Sequence, residues 1–102
     1  MAYRIIFTEP ASADIEDAYR YLRRRNPVAA RSIVRGIYER SQILADHPES
    51  GSALGDDFDP QLPRNLVYRQ WWIVYRRVPA DELILILRVW HTARGPVELK
   101  DD

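Results

Sequence analysis

Two stretches near the end of the chain constrain its fold more than anything else. Trp71-Trp72-Ile73-Val74-Tyr75-Arg76-Arg77-Val78 and Leu83-Ile84-Leu85-Ile86-Leu87-Arg88-Val89-Trp90-His91 are rich in β-branched and aromatic residues, and only Pro79-Ala80-Asp81-Glu82 separates them. Such runs flanking a short turn read as an antiparallel hairpin. A four-residue turn sets Val78 opposite Leu83, and opposed residues point to the same side of a sheet. Strict alternation then places Trp72, Val74, Arg76, Leu83, Leu85, Leu87, Val89 and His91 on one face. Trp71, Ile73, Tyr75, Arg77, Ile84, Ile86, Arg88 and Trp90 fall on the other. A one-residue slip mixes these sets. In either register both faces are largely apolar and both carry arginine.

The elements available to cover such a sheet are few. Tyr3 to Thr8 reads as a strand, with Tyr3, Ile5 and Phe7 on one side. Thr8-Glu9-Pro10 is a helix start: a capping hydroxyl, an acid and a first-turn proline. Ala11, Ile15, Ala18, Tyr19 and Leu22 then form one helical stripe, with Asp14, Glu16 and Asp17 early and the arginines late, as the macrodipole prefers. Asn26-Pro27 ends that helix and caps a second over residues 28–45, whose stripe is Ala30, Ile33, Val34, Ile37 and Leu44. His47-Pro48-Glu49-Ser50-Gly51 stops it, and residues 50–63 read as a polar, turn-rich loop. A further strand at Arg64–Tyr68 precedes the hairpin. The expected architecture is α+β in the order β-α-α-β-β-β, with the N-terminal strand and a helical hairpin on one face of a small, mostly antiparallel sheet. Residues 97–102 read as a short polar tail.

At 102 residues the chain is expected to be one domain spanning 1–102. It has no cysteine and two histidines, His47 and His91, which argues against a disulfide framework and a zinc site; no metal and no cofactor are expected. No apolar run approaches the ~20 residues of a membrane span, and the N-terminus lacks a signal peptide's apolar region, so a cytoplasmic protein without membrane contact is expected. Fifteen basic and fifteen acidic residues balance, against general nucleic-acid binding and sequence-specific DNA recognition. The balance is uneven in sequence: Arg20, Arg23, Arg24 and Arg25 cluster before residue 26, and Asp46, Glu49, Asp56, Asp57 and Asp59 cluster in the middle.

Two helices cover one face of the sheet. The leucine-rich face is the expected core, which leaves the face with Trp71, Tyr75, Arg77, Arg88 and Trp90 as the expected binding surface, joined by Arg94. A large apolar patch on a small protein marks a site of association, and aromatic plus arginine is the composition of interface hot spots. The alternative is that residues 50–63 and the tail fold over that face.

Few residues suggest chemistry. An imidazole can shuttle protons, and His91 is followed three residues later by Arg94, a pair suited to RNA cleavage or equally to capping the sheet and pairing on the surface. Arg64, Arg69, Arg76 and Arg88 line an anionic site only if they converge. Glu49 is a general base or a solvated loop acid. No glycine-rich phosphate loop, GxSxG elbow or HExxH motif is present.

The ordered set of Phe7-Thr8, Ala11, Asp14, Ile15, Tyr21, Asn26-Pro27, Ala30, Leu44, His47-Pro48, Gly51, Tyr75-Arg76, Val89-Trp90-His91 and Arg94 resembles the RelE/ParE superfamily of toxins from bacterial type II toxin–antitoxin modules, also called plasmid stabilisation proteins. The resemblance implies an α+β toxin domain. It implies a cognate antitoxin, ParD-like or related, bound directly in a hetero-oligomer. Two branches follow. ParE-like members inhibit DNA gyrase and are not nucleases; RelE-like members cleave messenger RNA on the ribosome. Here Thr92 follows His91 where several nuclease branches carry an aromatic, no tyrosine follows Val89, and lysine is absent before residue 100. The resemblance therefore points to the ParE branch. The alternatives are an endoribonuclease using His91, Arg94, Arg64 and Glu49, and an inactive homologue that only binds antitoxin.

Overall fold

A computed structural model describes residues 2–54, 62–95, 97 and 99. Five strands form one mixed sheet in the order β1-β5-β4-β3-β2: β1 Arg4–Phe7, β2 Ser52–Ala53, β3 Arg64–Tyr68, β4 Trp71–Val78 and β5 Leu83–His91. β1 runs parallel to β5, and the remaining pairings are antiparallel. Helices α1 (Glu9–Arg23) and α2 (Pro27–Gln42) pack side by side on one face.

The local signals act where the sequence places them. The Thr8 hydroxyl accepts the Ala11 N–H at 3.4 Å and donates to the Ile86 carbonyl at 2.8 Å, so one side chain starts α1 and binds it to β5. Asn26 caps α2 through the Ala29 N–H at 3.1 Å. Pro10 and Pro27 stand in the first turns of their helices, where a missing N–H costs nothing. Helix α2 tightens into a 3₁₀ turn at Ile43–Ala45, and the Ala45 carbonyl accepts from the Tyr3 N–H at 2.8 Å.

Ala11, Ile15 and Ala18 of α1, with Ile37 of α2 and Leu44 beyond it, bury against Leu66, Trp71, Ile73, Tyr75, Ile84, Ile86 and Val89. Tyr3, Ile5 and Phe7 flank this core, and the Phe7 ring meets Tyr38 edge-on at 4.9 Å. This corrects the expected choice of face. The leucine-rich side is not the core: Trp71, Ile73, Tyr75, Ile84 and Ile86 lie beneath the helices.

A bulge that strict alternation does not foresee also regroups the end of β5. Val78 pairs with Leu83 and the register holds to Tyr75 opposite Ile86, but Val74 then pairs with Arg88. Leu87 is the extra residue. A single inserted residue reverses the facing of everything beyond it. Val89 and His91 therefore join Ile73 and Trp71 on the helix side, while Arg88 and Trp90 join Val74 and Trp72 on the opposite side.

No helix packs on that opposite side among the described residues. Val74 is buried there, Trp72, Arg76, Leu85 and Leu87 are half-buried, and Ile6 and Val67 are exposed at 39% and 51%. Much of the expected 50–63 loop (residues 55–61) and most of the tail lie outside the described residues.

Candidate functional site

The C-terminal end of β5 gathers charged and aromatic groups in mutual contact. The cluster arises because β1 stops at Phe7, so β5 runs on without a strand on that side. Asp14 of α1 takes the vacant place. Its Oδ2 accepts the Val89 backbone N–H at 2.9 Å and the Arg88 Nε at 2.8 Å, and its Oδ1 accepts Arg88 Nη2 at 2.8 Å. The fork-on-fork geometry suits a planar guanidinium and gives both charges directional partners as they leave water. The Arg94 guanidinium lies 4.0 Å from Asp14 Oδ1 and 3.9 Å from the centre of the Trp90 ring, with Arg88 4.8 Å from the same ring. The Trp90 indole N–H donates to the Gly95 carbonyl at 2.9 Å. Trp90 is thus a buried platform bearing two cations.

Of the residues expected to bind a partner, Arg88, Trp90 and Arg94 come together here. The others do not join them. Trp71 and Tyr75 lie under the helices, on the side of the sheet opposite Arg88 and Trp90. Arg77 lies beside the Tyr3 ring at 6.0 Å, and its pairing partner Ile84 is six residues along β5 from Trp90, roughly 20 Å at strand spacing.

The residues considered for RNA cleavage fall in two separate places, Arg64 with Glu49, whose carbonyl lies 3.5 Å from Arg64 Nη2, and His91 with Arg94 about the turn after β5. Arg64 donates Nε and Nη2 to the Gly51 carbonyl at 3.0 and 2.7 Å. It shares this task with Tyr75, whose hydroxyl donates to the Pro48 carbonyl at 2.6 Å and accepts the Gly51 N–H at 2.9 Å. Together they fasten the exit from α2. The Glu49 carboxylate is exposed, 4.0 Å from His47. His91 sits edge-on to Trp71 at 4.8 Å, and its Nδ1 accepts the Ala93 N–H at 3.1 Å, a cap on the 3₁₀ turn Thr92–Arg94. Arg64 pairs with Tyr75 and His91 with Trp71, four residues apart on β4, which separates them by roughly 13 Å along the strands alone. The arginines do not converge either: Arg69 lies in the β3–β4 turn and Arg76 on the helix-free face.

Asp14 went unremarked among the candidate site residues because acids early in a helix are ordinary. One signal was available. Asp14 stands three residues after Ala11 and four before Ala18, so it interrupts the buried stripe of α1, where a carboxylate needs a partner.

The two-layer arrangement is shared with toxin chains of known structure. The chromosomal ParDE toxin–antitoxin system from Pseudomonas aeruginosa superposes with a TM-score of 0.71 at 20% identity, over 88% of this chain and 96% of that one. The RelBE2 toxin–antitoxin complex from Mycobacterium tuberculosis gives 0.66 at 20% identity, over 89% and 92%. A mutant of the Escherichia coli toxin RelE in the free state gives 0.51 at 15% identity, over 93% and 88%. At these identities the likeness establishes the fold. The sequence profile of the ParE toxin of the type II toxin–antitoxin system parDE matches residues 5–96, and the chain belongs to that family. No curated protein matches it significantly.

Proposed function

We propose that this protein is a gyrase-directed toxin, silenced by an antitoxin that seats on the helix-free face of the sheet. The observation that carries the choice of target is that the four nuclease candidates do not meet at one place: Glu49 and Arg64 stand toward one end of β4, His91 and Arg94 at the other. Arg64 is committed to the Gly51 carbonyl, His91 to a backbone cap, Glu49 stands at the loop after α2, and Arg94 lies over Trp90. Ribonucleolysis needs an acid, a base and a phosphate ligand around one bond. A toxin that acts by binding needs no such convergence.

The helix-free face supports the antitoxin half of the reading. It holds the exposed Ile6 and Val67 beside Trp72, Leu85 and Leu87. Next to Val74 on that face, the buried Oδ1 of Asn65 has no hydrogen-bond partner among the described residues.

The test is a supercoiling assay with purified gyrase and increasing toxin, run beside a ribosome-bound mRNA cleavage assay. Inhibition of supercoiling with intact message, relieved by antitoxin, is the expected result. Site-specific message cleavage with normal supercoiling would reject the gyrase target.

A further inference from the structure

Residues 18–38, the facing halves of α1 and α2 with the bend between them, hold Arg20, Arg23, Arg24, Arg25, Arg31 and Arg35 and no Asp or Glu, in a chain whose net charge is zero. Arg20 is tied to Glu16 at 3.0 Å and Asp17 at 3.4 Å. Arg23, Arg24, Arg31 and Arg35 are exposed and make no ion pair with a described residue. The dipole of α1 accounts for cations at its C-terminal end. It does not account for Arg31, one turn into α2 near the pole that disfavours positive charge. Along α2 the first acid is Glu39, one turn beyond Arg35 but eight residues, about 12 Å, from Arg31, while charges are screened over about 8 Å at physiological salt.

The apex also exposes apolar surface. Val28 is 73% exposed and Tyr21 57%, and the Arg25 guanidinium rests 4.8 Å from the Tyr21 ring centre, already placed for contact. Arginine with tyrosine around an aliphatic anchor is the composition of a protein interface. A phosphate backbone would engage the arginines and leave Val28 unused. We infer that the apex of the helical hairpin docks an acidic, partly apolar polypeptide segment of a partner protein. This surface is separate from the helix-free sheet face, and its test reads neither gyrase nor antitoxin.

The experiment titrates the full chain into a fluorescein-labelled synthetic peptide of glutamates interspersed with leucines, and follows anisotropy at low and high salt. A peptide with glutamine for glutamate and a labelled DNA duplex are the comparisons. The acidic peptide is expected to bind in a salt-sensitive manner and its glutamine counterpart is not. The triple variant Arg23→Gln, Arg24→Gln, Arg31→Gln should weaken binding roughly tenfold, the sum of three modest exposed pairs. Val28→Ser should weaken it further with an unchanged circular dichroism spectrum. Equal binding of both peptides, or no effect of the triple variant, overturns the inference. So does tighter binding of the duplex together with indifference to Val28→Ser, which assigns the apex to nucleic-acid backbone.

Discussion

Asp14 and Arg88, seventy-four residues apart in sequence, meet through two hydrogen bonds of 2.8 Å, and the same carboxylate closes the open edge of β5 at the Val89 N–H. One acid thus substitutes for a strand that ended at Phe7, locks α1 to the sheet and fixes the arginine beneath Trp90. Asp14→Ala would leave a half-buried guanidinium and a backbone N–H without their acceptor. It should destabilise the fold by roughly 3–5 kcal/mol in urea denaturation, whereas Asp14→Leu with Arg88→Met should recover much of that loss, because apolar replacement removes both desolvated charges.

Gly36 is held by the Tyr68 ring. A Cβ at residue 36 would stand 1.8 Å from the Tyr68 hydroxyl oxygen and 2.2 Å from its Cζ. Helix propensity alone favours alanine by about 1 kcal/mol. The clash should reverse that sign, giving a net destabilisation of about 1–3 kcal/mol for Gly36→Ala. In a Tyr68→Val background the same change should become neutral or stabilising, which thermal unfolding of the four variants measures.

Tyr75→Phe keeps the ring in the core but strands the Pro48 carbonyl and the Gly51 N–H, which its hydroxyl now satisfies. The expected cost is about 1–3 kcal/mol. Amide hydrogen exchange should show the loss first at residues 48–51, ahead of the strands.

Val67→Asp and Ile6→Asp each place a charge on the helix-free face at an exposed side chain. Folding stability should stay within about 0.5 kcal/mol of the parent. If an antitoxin seats there, co-expressed antitoxin should no longer restore growth, and calorimetry should show binding weakened by an order of magnitude or more. Full rescue by antitoxin in both variants would refute that seat.

Glu82 closes the β4–β5 turn with φ of 52°, a conformation that costs a side-chain-bearing residue about 1 kcal/mol. Glu82→Gly should therefore raise stability slightly, by about 0.5 kcal/mol once the extra flexibility of the unfolded chain is counted. A measured loss would mean that the side chain itself contributes to the turn.

Most elements were legible because their signals are local; β2, two residues inside the stretch expected as loop, was not. Thr8 and Asn26 cap helices by side-chain bonds to a backbone N–H three residues ahead, and Pro79 to Glu82 sets Val78 against Leu83 across a short turn. The helical stripes also read true, since Ala11, Ile15, Ala18, Ala30, Ile37 and Leu44 are all buried. The candidate site was legible only in part. Arg88, Trp90 and Arg94 form one cluster, but Trp71 and Tyr75, correctly grouped with Ile73, Ile84 and Ile86, lie under the helices because the leucine-rich face is not the core.

What the amino-acid order determined, then, was the kind and sequence of the elements, because capping, turn geometry and periodicity act within a few residues. What tertiary packing decided was which side of the sheet the helices cover. Both sides are apolar enough to serve, so composition does not choose between them. At Leu87 one residue without a cross-strand partner turns Arg88 and Trp90 away from the helices and brings Val89 beneath them, and Asp14 of α1 holds Arg88 at the sheet edge.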